Sequence, residues 1–360
     1  MNDARHDMID DLVSLVEVES PSSELEALHR CADQLCRLAA ERTALAIERT
    51  EVAGRPVVRI GSSDARVLLL GHLDTVHPIG TLERAPCRVS NGRMTGPGVL
   101  DMKSGLVIAL HTLATSSDAS LLVTADEEIG SPNSRGIIEH TAVGRVAVLV
   151  LEAAAGRSLK IARKGVDRFV VEVTGKAAHS GLEPSLGANA LIGMSNAVLA
   201  AAALSDDDLG TTVTPTVATA GVSSNTVPDA ASFAVDVRTW SFNERLRVVK
   251  GLQALASGVA GVEIRVVEGP SRPPFEPSSS AALFELACEA ARELDLEPIQ
   301  GVSVGGGSDG NFTAALGIPT LDGLGGVGGG THTDYEWLDT DSLVERRDLL
   351  TSLIARCVSR

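Results

Sequence analysis

The sequence predicts an α/β protein: a mostly parallel central sheet with helices on both faces, interrupted by an inserted two-layer α+β segment. Short apolar runs at residues 67–70, 121–123 and 146–151 alternate with helical patterns, the order that a parallel sheet with crossover helices requires. From about Phe169 the pattern becomes β-α-β-β-α-β, the split arrangement of a small sandwich. A Pro-rich stretch, residues 269–277, reads as a return linker, after which helical periodicity returns at 281–294 and the chain rejoins the first sheet. Its 360 residues exceed one ordinary core. The expected division is residues 1–165 and 274–360 for one domain and 166–273 for the insertion.

The elements follow from local patterns. Ile9, Leu12, Val13 and Val16 form one helical stripe, and Ser20-Pro-Ser-Ser23 breaks it. A second helix carries Leu25, Leu28 and Leu35, and residues 102–113 predict a third. Ser131-Pro132 has the form of an N-cap followed by proline at the first helical position. Within the insertion, residues 169–174, 211–220, 231–238 and 262–267 predict strands. Residues 187–204 and 243–256 predict helices.

Composition excludes some function classes. A formal charge of −16 argues against nucleic-acid or anionic-membrane partners, which need clustered Lys and Arg. No stretch approaches the roughly 20 apolar residues of a membrane span. Five scattered cysteines without a C-x-x-C pair are expected as reduced thiols, and the polar N-terminus lacks an apolar export segment. A cytoplasmic location is the expectation.

Chemistry concentrates where strands end. His72 and Asp74 follow the run at 67–71, Asp101 immediately precedes a helix, Glu127-Glu128 follow the run at 121, and Glu152 ends the run at 146. In open α/β sheets the carboxyl edge is where sites are built. His332 stands in a late glycine-rich loop. Each residue alone has a plainer reading: a helix cap for Asp101, a solvated pair for the two glutamates, a core histidine for His72. Their recurrence at successive strand ends favours a shared metal site, and five nitrogen and oxygen ligands suit one or two zinc ions. The spacing Gly323-Leu-Gly-Gly-Val-Gly328 runs into His332 rather than a helix, so a dinucleotide cofactor is not expected.

The strings Gly71-His-Leu-Asp-Thr-Val76, Thr95-Gly-Pro-Gly-Val-Leu-Asp-Met-Lys103 and Asp126-Glu-Glu-Ile-Gly130 resemble the M20 family of metallopeptidases, within it the glutamate carboxypeptidase branch. The resemblance runs from the first helix to the end of the chain. It implies a zinc-peptidase-like catalytic domain, with the insertion as a lid and dimerisation domain, and two Zn2+ per subunit, with Co2+ or Mn2+ as substitutes. Asp101 would bridge both ions; His72 and Glu152 would complete one, Glu128 and His332 the other. Glu127 would be the general base and Asp74 the partner that fixes the His72 tautomer. The resemblance also implies that His179 stabilises an oxyanion, reaching a neighbouring subunit's active site, and that Asn225 and Arg238 lie in a substrate-facing segment. Arg272 would meet a substrate carboxylate by bidentate pairing, and Gly307 would belong to a glycine-rich substrate cradle. Residues 331–335, Thr-His-Thr-Asp-Tyr, depart from the branch beside the last histidine, while the spacing from His332 to Glu336 is kept.

The expected activity is hydrolysis of an amide beside a free carboxylate, in a small peptide or N-acyl amino acid, by a homodimer paired through the insertion. A deacylase of the acetylornithine or succinyl-diaminopimelate type would use the same residues. A metal-dependent binding protein without catalysis is the reading from another class, and measured hydrolysis by zinc-loaded protein separates them.

Overall fold

The computed structural model describes residues 2–359. Contacts divide the chain into two units: Met1–Ala162 with Glu276–Val304 and Ser308–Arg360, and Arg163–Phe275 with Gly305–Gly307.

In the first unit, α1 (Asn2–Val16) and α2 (Leu25–Arg42) lead into β1 (Ile47–Val52), β2 (Arg55–Ile60) and β3 (Val67–His72). Then come α3 (Ser104–Leu113), β4 (Ala119–Thr124), α4 (Arg135–Ala142) and β5 (Ala147–Val150). The sheet runs β1-β2-β4-β3-β5 and is completed by Thr320–Leu321. Pairing of β3 with β4 and β5, and of β5 with Thr320–Leu321, is parallel; β1, β2 and β4 pair antiparallel. The β3 run is buried on both sides because its residues serve two cores. Val67 and Leu69 pack with α1, α2 and α3, whereas Leu68 and Leu70 pack with Ile138 of α4 and with Phe312. Helices therefore cover both faces.

One helix approaches the sheet unusually closely. A Cβ at Gly105, in the first turn of α3, would stand 2.1 Å from the Leu151 carbonyl oxygen, so only glycine fits. The residues before it are not regular helix: Asp101 (φ −113, ψ 94) and Met102 (φ −131, ψ 31) leave helical geometry, so the α-helix that residues 102–113 suggest starts only at Ser104.

The second unit is β6 (Gly165–Thr174), α5 (Ala190–Ala202), β7 (Thr212–Ala220), β8 (Ala230–Thr239), α6 (Phe242–Gln253) and β9 (Glu263–Arg272). Its sheet is wholly antiparallel, in the order β7-β8-β6-β9. Inward residues of β6 (Phe169, Val171, Val173) and β8 (Phe233, Val235, Val237) alternate with more exposed ones and pack with α5 and α6. Asn189 caps α5 by accepting from the Leu191 and Ile192 amides, and Ser241 caps α6 through the Glu244 amide.

The first unit resumes with α7 (Ala281–Glu293), α8 (Gly310–Ala315), β10 (Thr320–Leu321) and α9 (Ser342–Ser359).

Two local expectations are corrected. Ser131 does not cap a helix: it has φ +54, its hydroxyl bonds Asp309, and α4 starts only at Arg135. Residues 269–272 are not linker, because β9 continues through Gly269-Pro270 to Arg272 with a register shift between Glu268 and Ser271. An edge strand tolerates such an irregularity, which the sequence pattern shows only as a break.

Candidate metal centre

Register sets the site. In the parallel part of the sheet His72 is level with Thr124, and Leu70 with Val150. Glu152, two residues beyond Val150, therefore leaves the same edge level with His72, and Asp126 to Glu128 leave it from β4. His72 Nε2 lies 3.5 Å from Asp101 Oδ1 and 3.5 Å from Glu152 Oε1. His332 Nε2 lies 3.4 Å from Asp101 Oδ2 and 3.3 Å from Glu128 Oε2. Asp101 thus stands between the two histidines, one carboxylate oxygen facing each. The Asp101–Met102 peptide is cis.

The donor set fits divalent cations. His72 Nε2, Asp101 Oδ1 and Glu128 Oε1 are buried with no hydrogen-bond partner among the described residues, although buried polar atoms are almost always satisfied. Ligand atoms of His72, Asp101 and Glu128, and separately of His72, Glu127 and Glu152, lie within 4.8 Å of one another. Glu127, expected to be unligated, stands in the second of these groups, beside His72 and Glu152.

Electrostatics point the same way. Burial alone would raise the Asp101 pKa, but the adjacent imidazoles of His332 and His72 pull it well below the ordinary carboxylate range. Burial alone would lower the His72 pKa, yet Asp101, Asp74 and Glu152 drive it well above its usual value. His332 is pushed up to about 10, first by Asp101 and then by Glu128. Burial raises the Glu128 carboxyl, with His332 opposing and Asp101 adding to the rise. The cluster holds more negative charge than its histidines neutralise, a demand that cations meet.

The supporting network was only partly foreseen. The His72 tautomer is set by the main chain of Asp74: Nδ1 lies 3.0 Å from the Asp74 carbonyl oxygen and 3.4 Å from Oδ1. A proton on Nδ1 leaves Nε2 with its lone pair towards Asp101 and Glu152. The buried Asp74 carboxylate accepts instead from Ser22 Oγ at 2.7 Å and from the amides of Glu127 and Glu128, both at 3.2 Å. It therefore holds the loop carrying both glutamates. Asp126 closes the same loop by accepting from the Asn133 and Ser134 amides. Asp309 accepts from the Thr124 and Ser131 hydroxyls at its two ends. Lys160 Nζ lies 3.9 Å from Glu152 Oε2. Sequence reasoning missed Asp126, Asp309 and Lys160; the run Ser308-Asp-Gly-Asn311 was the only local signal for Asp309.

The remaining expected residues belong to the second unit. His179 is exposed, and its Nδ1 accepts from the Gly181 and Leu182 amides, both at 3.1 Å. That arrangement assigns the ring proton to Nε2. Asn225 lies on the neighbouring segment, its carbonyl accepting from the Ser180 amide at 3.0 Å, and His179 pairs in register with Thr226. Arg238 is engaged by Asp236 on its own strand, at 2.7 and 3.1 Å. Arg272 is half-buried at the end of β9, opposite Val166. Arg163 Nη1 donates to the carbonyls of Gly306 at 3.0 Å and Gly307 at 3.4 Å.

Comparison with known proteins agrees with this geometry. Residues 68–356 match Peptidase family M20/M25/M40. The chain is 30% identical to carboxypeptidase G2 of Pseudomonas sp. (strain RS-16), over 96% of this chain and 88% of that protein. It is 32% identical to succinyl-diaminopimelate desuccinylase of Corynebacterium glutamicum, over 57% of this chain and 60% of the relative. The fold is shared with a dinuclear metal binding peptidase from Bacillus subtilis at a TM-score of 0.69 and 17% identity, covering 100% of this chain and 99% of that one. A strand-edge cluster of imidazoles and carboxylates, on this fold and with this kinship, has one reading: the chain belongs to peptidase family M20/M25/M40 and is a metallohydrolase.

Proposed function

We propose that the chain binds two Zn2+ and hydrolyses an amide bond adjacent to a free carboxylate, in a peptidyl or N-acyl amino acid, as a glutamate carboxypeptidase does. The observation that carries this reading is the set of unsatisfied buried donor atoms on His72, Asp101 and Glu128, with Glu127 beside them. Asp101 would be shared by both ions, with His72 and Glu152 on one and Glu128 and His332 on the other. Once bound, the ions supply Lewis acidity, which polarises the scissile carbonyl and lowers the pKa of water towards neutrality.

The chain's own residues do the rest. Glu127 takes a proton from the attacking water and delivers it to the leaving nitrogen, so the two products part as acid and amine. Asp74 fixes where Glu127 starts, through the Glu127 amide. His179, with its proton on Nε2, donates to the oxyanion. Asn225, held beside His179, adds a donor, and Gly307 lends backbone to the substrate cradle. Arg272 pairs with the substrate carboxylate, for which a planar guanidinium is matched. Arg238 takes a lesser part, because Asp236 already satisfies it.

Glu127→Gln tests the mechanism. It should keep two zinc ions and lower kcat by about 10²–10⁴-fold, the usual worth of a general base. Metal lost along with turnover would make Glu127 a ligand instead.

The 32% identity to a desuccinylase favours one second reading, deacylation of an N-acyl amino acid at the same site. Parallel assays decide: glutamate released from a folate-like amide against acyl release from N-succinyl or N-acetyl amino acids.

Pairing through the second unit is part of the proposal. Strand β7 is an outer strand of its sheet, and Val217 on it is 71% exposed. Leu191, Ile192 and Leu199 (72% exposed) stand on the open face of α5. Open strand edges and apolar faces are costly to leave in water. Sedimentation should give a dimer; a fully active monomer would remove this part. No described helix is long and apolar enough to cross a membrane, and all five cysteines are free thiols, as a cytoplasmic enzyme would have them.

A further inference from the structure

Glu336 is buried, charged, and in direct hydrogen-bond contact with no imidazole of the metal cluster, yet four donors converge on it. Its Oε1 accepts from the amides of Leu100 at 2.7 Å and Asp101 at 2.9 Å. Its Oε2 accepts from the Gly98 amide at 3.0 Å and lies 2.9 Å from His77 Nε2. The three amides point at one carboxylate because the backbone reverses at Gly98, which has φ +71 and no room for a side chain: a Cβ there would stand 2.5 Å from Thr75 Cγ2. A carboxylate accepting several backbone amides and an imidazole fixes the segment it binds, since releasing it would strand buried donors.

The other end of this residue is equally constrained. Residues 330–336 form a compact turn in which the Thr333 hydroxyl and amide donate to the Gly330 carbonyl and the Glu336 amide donates to the Thr333 carbonyl. His332, held at φ +64, lies inside that turn. Glu336 therefore joins the turn presenting His332 to the turn presenting Asp101, although 231 positions separate those two side chains (332 − 101).

We propose that Glu336 is the positioning residue that sets the spacing between Asp101 and His332, and so controls the second metal position, the one formed by Asp101, Glu128 and His332. His72 and Glu152 need no such brace, because they leave adjacent strands of one sheet in fixed register. The inference rests on the two-ion reading above. It assigns Glu336 no contact with metal, substrate or the reacting atoms.

The test is Zn2+ titration against a competing chelator, with Co2+ absorption as a second readout, on full-length wild type, Glu336→Gln and His77→Leu. Wild type should bind two equivalents. Glu336→Gln turns an amide NH2 towards backbone N–H groups. It should keep one equivalent at near wild-type affinity and weaken the other by about 10–100-fold, the usual effect of losing an outer-shell partner. The retained equivalent also reports that the central sheet has folded. His77→Leu removes one donor of four and should weaken the same equivalent by less; it serves if Glu336→Gln does not fold. Two equivalents of unchanged affinity in a folded variant, or equal loss of both, would overturn the proposal and leave the two-ion reading standing. Fewer than two equivalents in wild type would sink both.

Discussion

The strand-edge cluster of the first unit and the polar residues of the second differ in how much of their bonding is settled in advance. At the edge, His72 Nε2, Asp101 Oδ1 and Glu128 Oε1 are buried without hydrogen-bond partners, while the surrounding network is nearly complete. In the second unit, Arg238 is closed by Asp236, and His179 has its inner nitrogen filled by two amides. Unmet demand inside a rigid frame marks where a cation belongs. Local satisfaction with one donor left over is what the proposed oxyanion role of His179 requires.

The comparison can be broken most forcefully at Asp101. Asp101→Asn should reduce zinc content below one equivalent per chain and lower kcat/KM by about 10³-fold or more, the several kcal/mol that metal supplies. Retention of two equivalents would show that the shared carboxylate is dispensable. A sharper and smaller effect is expected at His179. His179→Gln should leave metal content unchanged and lower kcat by about 10²–10³-fold, the scale of one oxyanion donor. A change in zinc affinity there would blur the distinction between the two regions. The smallest effect is expected at Arg238. Its pair with Asp236 is part-exposed, so Arg238→Ala should cost no more than about 1 kcal/mol of stability and change KM only a few-fold. A large rise in KM would return Arg238 to direct substrate contact.

What the sequence made legible follows the same division. The fold class was readable because parallel strands buried on both faces appear as continuous apolar runs, as at 67–70 and 147–150. Imidazoles and carboxylates at the ends of those runs must share an edge, so the cluster could be read with them. Bonds that span the chain could not. Asp309 meets Ser131 across 178 positions and Glu336 meets Gly98 across 238, and no local pattern carries such pairing. Ser131-Pro132 misled because a capping signal and a left-handed turn use the same residue types. Gly269-Pro270 misled for a related reason: in an outer strand these residues interrupt the pattern without ending the strand.

The turn holding His332 and Glu336 has a consequence for biosynthesis. It leaves the ribosome after the whole second unit has been made. A chain made only to residue 331 lacks both His332 and the carboxylate that accepts from the Asp101 amide. Under the proposed function, hydrolytic competence therefore waits for residues 332–336, and a fragment ending before residue 332 is expected to be inactive.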